Sequence, residues 1–478
     1  MNFFAQMISY RTICLIAMLA AWSLLSGCAG VSGIAPDGKM ISENALAPSK
    51  AVLAASRTAW PDEAWWNSYR DPQLDSLVAR AISGNPVLKT AKERIALAES
   101  MANERHSALL AQGDFGASSS RDRFTALQFI PPPWGGHTEW NNAAVASFSY
   151  DLDLWGRLRS AWQASIGEAR AQSAEEREVR IELENAVVRS YIRLAMEYHL
   201  RDIAEKQYLE LKQGAEIERK RLDAGMGTEM ALSEAQSPLP LALAKIEAVD
   251  ARIAFLKSGL AALAGEGPGA EDGIGRPGMS LEMPVGLPDR LPANLIGRRP
   301  DVRAARWRVE AAGNRIHSAK AAFYPDINLA AAAGFEALGF SQILSSAAFL
   351  AGAGPALSLP LFDGGQRRAG LSAANASYGI AVDQYNEMVV RAFKDVSDQL
   401  VSYRTETGRL AKAEQSLRLA RRASALSMQS FRAGLVNYRR VLDAEKVALE
   451  REEALARIRD EKLESYARLM LALGGGAR

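Results

Sequence analysis

The chain has almost no cysteine. Of its 478 residues only Cys14 and Cys28 are cysteines, both near the amino terminus, so neither a disulfide framework nor a cysteine zinc site is available. Net charge is equally scarce: 57 basic against 55 acidic residues leave a formal +2, which offers no basic field for nucleic acid and no acidic tail. The four histidines, His106, His137, His199 and His317, are scattered without metal-binding spacing. No nucleophile elbow or phosphate loop occurs. The single G-x-G-x-x-G, Gly273 to Gly278, has no strand before it and contains Pro277, so it reads as a turn. These absences leave an enzyme without a catalytic constellation, and a metal or cofactor without a site. What remains is an apolar content of 48%, enough for a folded chain of two or three domains.

Arg11 is the only charge in residues 1–28, and the apolar run ICLIAMLAAWSLL ending at Leu25 is too short to span a bilayer comfortably. Residues 1–27 read as an export signal. The sequence Leu25-Ser26-Gly27-Cys28 resembles the bacterial lipoprotein cleavage box, which makes Cys28 the acylated first residue of the mature protein. The alternative is an ordinary secretory signal with a bystander cysteine. By the same resemblance Ala29, in the place where Asp would act as a retention signal, favours the outer membrane.

The rest of the chain repeats itself. Leu222 to Gly225 aligns with Phe431 to Gly434, Glu234-Ala235-Gln236 with Asp443-Ala444-Glu445, and Gly156 to Arg159 with Gly365 to Arg368, all 209 positions apart. A weaker match sets Asn85-Pro86 against Arg299-Pro300. The expected organisation is a signal peptide (1–27), an N-terminal anchored segment (28–71), a first repeat (72–264), a Gly/Pro-rich linker (265–291), a second repeat (292–472) and a tail (473–478).

Each repeat begins with a medium helix at Pro86 or Pro300, where proline suits a first turn and Asp301 suits the positive helix end. Strands follow. Ala144, Ala146, Phe148, Tyr150, Leu152 and Leu154 alternate with polar or small residues over 144–154, and Ile327, Leu329, Ala331, Ala333 and Phe335 form a similar stripe. Partner strands are expected near 114–121 and 351–361. After Gly156 and Gly365 a helical pattern runs for about 65 residues, about 100 Å of helix. The returning helices, about 228–264 and from about Asn437, turn back after Asp223–Thr228 and Arg432–Asn437. The medium helix (about 86–112) and returning helix of the first repeat together match the long helix if stacked end to end, with the linker at the joint. Leu442, Leu449, Ala456, Leu463 and Met470 keep a seven-residue spacing suited to coiled-coil packing. Pro238 and Pro240 predict a kink in the first returning helix. The segment 121–139, with three consecutive prolines, reads as an exposed loop.

Strands of about ten residues with one apolar face suit a transmembrane β-barrel, but four strands are too few to close one. If they span a membrane, several chains pool them; a soluble sandwich on a periplasmic coiled coil is the competing reading. The lipobox, RRPDVRAAR at 298–306, AKAAFYPDINL at 319–329, LPLFDGGQRRAG at 359–370 and FRAGLVNYRRVLDAE at 431–445 resemble the TolC-like outer-membrane efflux factors, in particular their lipoprotein NodT branch. The resemblance covers nearly the whole mature chain. It implies a mainly α fold with β, in which a long α-helical barrel continues into a transmembrane β-barrel of four strands per chain, closed only in a homotrimer. It also implies a passive duct for small molecules, working with a periplasmic adaptor (a membrane fusion protein) and an inner-membrane efflux pump. Its only covalent addition would be lipid on Cys28. The resemblance makes the turns holding Gly225, Thr228, Gly434 and Asn437 the adaptor-contacting tips, although Gly225 and Gly434 are equally natural helix caps. It places Asp443 at the periplasmic gate, with Arg439 and Arg440 one helical turn before it. Those arginines form either an intrahelical ion pair with Asp443 or an interchain lock. The alternative to a duct is a lipid-anchored coiled-coil scaffold without a pore.

Overall fold

A computed structural model describes residues 31, 33–42, 60–127, 133–267, 269–279, 297–359 and 361–476. The export signal, Cys28 and the middle of the 121–139 loop lie outside the described residues. The chain forms two compact units. One holds Ile95–Gln172 and Ala305–Tyr385 with the described residues up to Met40; the other holds the described residues from Ile41 to Arg94, with Ser173–Ala304 and Asn386 onward.

The elements follow the repeat. After a 3₁₀ turn at Trp65–Tyr69 come α1 (Pro72–Gly84), α2 (Pro86–Ser107), β1 (Gln112–Arg123), β2 (Thr138–Asp151), α3 (Arg157–Asp223), α4 (Glu229–Gln236) and α5 (Pro238–Leu263). The second repeat supplies α6 (Pro300–Ala321), β3 (Asp326–Leu338), β4 (Phe349–Ser358), α7 (Gln366–Arg432) and α8 (Tyr438–Ala472). Both long helices have 67 residues.

The first unit is built on an antiparallel sheet in the order β1-β2-β3-β4. β2 begins earlier than the alternation indicated and ends at Asp151, because Asp153 takes a left-handed φ of 43° and its carboxylate caps α3 through the amides of Leu158 and Arg159, both at 2.8 Å. Leu152 still donates to Ile327 O at 3.1 Å, whereas Leu154 falls past the ladder. β4 likewise ends at Ser358, opposite the first residue of β3. Asp363 repeats the capping device for α7, accepting from the amides of Gly365 and Arg367 at 3.0 Å.

The second unit holds the larger core. Trp65, Tyr69, Leu74, Leu77 and Val78 pack with Val187, Tyr191 and Ile192 of α3, Val249 and Leu260 of α5, Val396 of α7, and Leu469 and Met470 of α8. Helix α1 is absent from the sequence expectation, yet Asp71-Pro72 supplies its cap and first turn, and Leu74, Leu77, Val78 and Ala81 bury one face. Asp71 does more than cap. It accepts the Tyr191 hydroxyl at 2.9 Å and the Gly278 amide at 2.8 Å, tying the linker to α3.

Four helices end in the same way. Gly225, Gly265, Gly434 and Gly474 all have positive φ and donate three residues back, and the residue after each donates five back. An αL cap of this kind satisfies two terminal carbonyls, and a Cβ there would be strained. Two of these ends meet the start of a medium helix. Asn85 accepts from Val87 N at 2.8 Å as the cap of α2, and its amide donates to Leu263 O at 2.8 Å, at the end of α5. In the second repeat Arg299, just before α6, donates to Ala472 O at 3.1 Å at the end of α8 and is clamped by Asp301 at 2.7 Å. The end-to-end stacking expected from helix lengths is thus present at both joints.

The returning helix of the first repeat is divided at Ser237, which keeps helical torsions (φ −51°, ψ −39°) while Pro238 opens α5. Both prolines consequently lie in a first turn, where missing amides and fixed φ cost little.

Replacing Asn85 by Ala should lower stability by about 1–2 kcal/mol in urea unfolding, through the lost cap and joint. Asp301→Ala should cost more, about 3 kcal/mol, because the buried Arg299 then keeps the half-exposed Asp395 at 3.2 Å as its one paired carboxylate, beside the carbonyl of Ala472. Equal stability of Asp301→Ala and wild type would show that the clamp contributes nothing.

Candidate functional site

The sheet has two chemically distinct faces, and its register aligns them across all four strands. Phe148 stands opposite Gly113 and Ala331, Ala146 opposite Phe115 and Ala333, and Ala144 opposite Ala117 and Phe335. Phe335 faces Phe349, and Ala331 and Ala333 face Ala353 and Ala351. Since opposed residues share a face, one side is predominantly apolar, interrupted toward the hairpin end by Ser119, which donates to Asn142 at 2.7 Å, and by Arg121 and Arg123. The other side carries Ser, Asn, Gly and every acid in the strands: Asp114, Asp122, Glu139, Asp151, Asp326 and Glu336. Gly334 is required by close packing within the sheet, since a Cβ there would clash with the backbone at Ala144 and Val145.

Aromatic residues gather at both ends of the apolar band. At the hairpin end Trp140 packs on Phe340 at 5.4 Å, and Phe335 meets Phe349 edge-on at 5.7 Å. At the helix end Trp155 stacks on Tyr324 at 4.6 Å and donates to Pro325 O. Trp140 and Tyr150 are ten residues apart on β2, about 33 Å of strand, or about 23 Å of depth at a tilt near 45°. That matches a membrane barrel's apolar band with an aromatic girdle at each interface. No described helix is long and apolar enough to cross a membrane. Just past the band, Arg157 pairs with Asp151 at 2.8 Å and Asp326 at 3.2 Å.

The turns predicted as tips are cap-to-cap connections. After the αL cap at Gly225, Thr228 accepts from Ala231 N at 3.1 Å and starts α4. After Gly434, Asn437 accepts from Arg440 N at 3.2 Å and starts α8. Met226 and Leu435, which follow the two glycines, are largely exposed.

Asp443, Arg439 and Arg440 lie on the exposed side of the first turns of α8. Arg439 does not pair with Asp443. It reaches Glu234 of α4 at 3.3 Å, and Glu234 occupies the position in the first repeat that Asp443 holds in the second. Among the described residues Asp443 has no ion pair within the chain, so the intrahelical pair is not formed. The 209-residue offset already aligned Glu234 with Asp443, but its pairing with Arg439 is visible only in the structure.

Behind this exposed layer the α3–α8 contact is close and acidic. Gly214 lies against Leu442 and Tyr438, so that a Cβ there would have to push the end of the Leu442 side chain aside. Burial, reinforced by the charge of Glu445, pushes Glu210 up to about 7. Burial also raises Glu445, whose Oε2 has no hydrogen-bond partner. Tyr438 is raised by burial and by the two carboxylates. Higher on α8, Glu464 behaves in the opposite way: burial opposes its charge, but the hydrogen bond from Arg193 at 2.7 Å and the guanidiniums of Arg189 and Arg468 hold its pKa down.

A duplicated helical chain with a four-stranded, two-faced membrane sheet defines an outer-membrane channel subunit. Residues 77–266 and 291–475 match the family described as Outer membrane efflux protein, one match for each repeat, and the chain belongs to that family. It is 38% identical over 481 residues to the fusaric acid resistance protein FusA of Burkholderia cepacia, covering 96% of this chain and 88% of FusA. It is 30% identical to the multidrug resistance outer membrane protein MdtP of Escherichia coli K12, covering 97% of this chain and 96% of MdtP. Among solved structures, the outer membrane protein VceC of Vibrio cholerae superposes with a TM-score of 0.81 at 30% identity, covering 87% of this chain and all of VceC. The Campylobacter jejuni CmeC outer membrane channel gives 0.83 at 20% identity, covering 93% and 95%, a likeness of fold.

Protonation at Glu210 has a stability consequence of fixed sign. Below the ordinary value of 4.5 its carboxyl is neutral in folded and unfolded chains, and the stability gained from its raised pKa is complete; that gain is lost as pH rises through about 7. Glu210→Gln should therefore raise the melting temperature relative to wild type above about pH 7 and leave it unchanged below 4.5. Parallel melting curves at every pH would contradict this.

Proposed function

We propose that three copies of this chain close a single twelve-stranded barrel through the outer membrane, forming a passive duct for small molecules. The observation that carries the reading is the aligned two-faced sheet, whose outer strands β1 and β4 each keep one edge without a ladder partner among the described residues. Such edges are untenable in lipid, and four strands are too few to close. The repeated helices would continue the duct into the periplasm. The tips at Gly225, Thr228, Gly434 and Asn437 would meet a periplasmic adaptor, which connects to an inner-membrane efflux pump. No reaction is catalysed along this path. The names of FusA and MdtP associate those proteins with fusaric acid and multidrug resistance, which supports small organic molecules as cargo.

Cys28 carries the lipid that anchors the mature amino terminus, in keeping with the lipobox. Asp443 forms the gate. Three copies near an axis repel unless hydrated or paired across chains, and Arg439 and Arg440 stand beside them as partners for a lock.

Purified protein in planar bilayers tests the duct directly. A trimer with a low basal conductance is expected, and Asp443→Ala should raise that conductance severalfold. A monodisperse, non-conducting monomer would defeat the duct and favour the pore-free scaffold. A conducting trimer whose conductance is indifferent to Asp443→Ala would remove Asp443 from the gate alone. Intact mass after globomycin-free and Cys28→Ser expression should differ by the acyl groups.

A further inference from the structure

The register sorts the charges of the sheet completely by sign. All six acids lie on the polar face, while the only two bases, Arg121 and Arg123, lie on the apolar face. Both arginines are at the hairpin end of β1 and both are exposed. Arg121 stands opposite Trp140, and its guanidinium carbon lies 5.9 Å from the indole centroid. Tryptophan at the edge of an apolar band marks headgroup depth. A guanidinium held over it has its stem in hydrocarbon and its charge among the headgroups.

No acid stands on the apolar face of any strand, so a strand brought beside β1 by assembly adds no counter-charge. Arg121 and Arg123 are two residues apart on one face, about 6.7 Å along the strand. That spacing lets both planar forks address neighbouring phosphate oxygens, a geometry that favours arginine over lysine. The hairpin end is the end of the sheet away from the strand termini that lead into α2, α3, α6 and α7, and on the barrel reading it faces outward.

We propose that Arg121 and Arg123 form a rim site for the phosphates of an anionic lipid headgroup in the outer leaflet. The inference rests on the barrel reading, and it assigns to the outer wall a ligand distinct from anything carried in the lumen. Bound lipid would fix the depth of the barrel at the one level where β1 carries charge toward the membrane.

The test uses the full-length protein in phosphatidylcholine nanodiscs supplemented with either diphosphorylated or dephosphorylated lipid A, with retained lipid counted by native mass spectrometry. Wild type should retain the diphosphorylated form preferentially. Arg121→Gln with Arg123→Gln should lower that preference about 5-fold per arginine removed. Arg121→Lys with Arg123→Lys, which keeps charge but not the fork, should fall between them. Equal retention of the two lipids by wild type overturns the proposal, as does an unchanged preference in the Gln variant. Conductance is measured on the same preparations. A conducting trimer without the lipid preference removes the rim alone, whereas a wild-type protein that neither inserts nor conducts removes the barrel on which it rests.

Discussion

The constraint on which the sheet depends is that a backbone amide or carbonyl inside hydrocarbon must find a partner within the protein. Among the described residues β2 and β3 are paired on both sides, while β1 and β4 are paired on one. In water such edges would be managed by charge, proline or a covering loop. Here β1 does carry Asp114, Arg121, Asp122 and Arg123 and β4 carries Pro355, yet the apolar face of β4 also offers Phe349, Ala351 and Ala353, and in lipid both edges need a further strand. The same constraint explains why the alternation is so regular. A slip of one residue in any pair would turn Phe148, Phe335 or Phe349 to the polar side and a carboxylate to lipid.

Duplication solves a second problem, which is how to run long helices in both directions without insertion of a third element. Each long helix of 67 residues is matched by two shorter ones joined end to end. Such a joint buries helix ends whose amides and carbonyls need partners. The two repeats meet that need with different chemistry. Asn85 serves as acceptor for α2 and donor to α5, so one neutral amide satisfies both ends. In the second repeat Arg299 donates to α8 and requires Asp301 beside it to balance its charge. The glycine caps at 265 and 474 are the same device in both copies, so the chemistry diverged at the side chain and not at the backbone turn.

Most of this architecture was legible in the sequence because its periods are long and its landmarks repeat. The long helices, the 209-residue offset, the apolar stripes of β2 and β3 and the cap glycines at 225 and 434 all write themselves into spacing. What was not legible depends on contacts distant in sequence. Helix α1 announces itself at Asp71-Pro72, but only the burial of Leu74 and Leu77 against α3 and α8 makes it part of the core. The ends of β2 and β4 depend on where the partner strand and the Asp153 cap stop the ladder. The segregation of acids from Arg121 and Arg123 needs the register of all four strands at once. Asp443 was named through resemblance, whereas the actual partner of Arg439, Glu234, follows from geometry between α4 and α8.

Within the second unit the interactions grade from strong to weak along α8. At its carboxyl end the Arg299–Asp301 clamp is buried, and Glu464 is gripped by three guanidiniums. At its amino end the Arg439–Glu234 pair is exposed, and exposed pairs are worth at most about 1 kcal/mol. The next layer inward adds little to hold it, since Glu210 and Glu445 are half-buried near one another, burial raises both pKa values, and Lys206 is already engaged by Glu452 at 3.1 Å. Local stability follows such gradients, and segments of low local stability open without global unfolding. The start of α8 is therefore the part of the helix that can be displaced at small cost, while the joint at its far end holds the helix in register. On the proposed gate reading, an aperture built on this weak end would open by loosening contacts that were never strong.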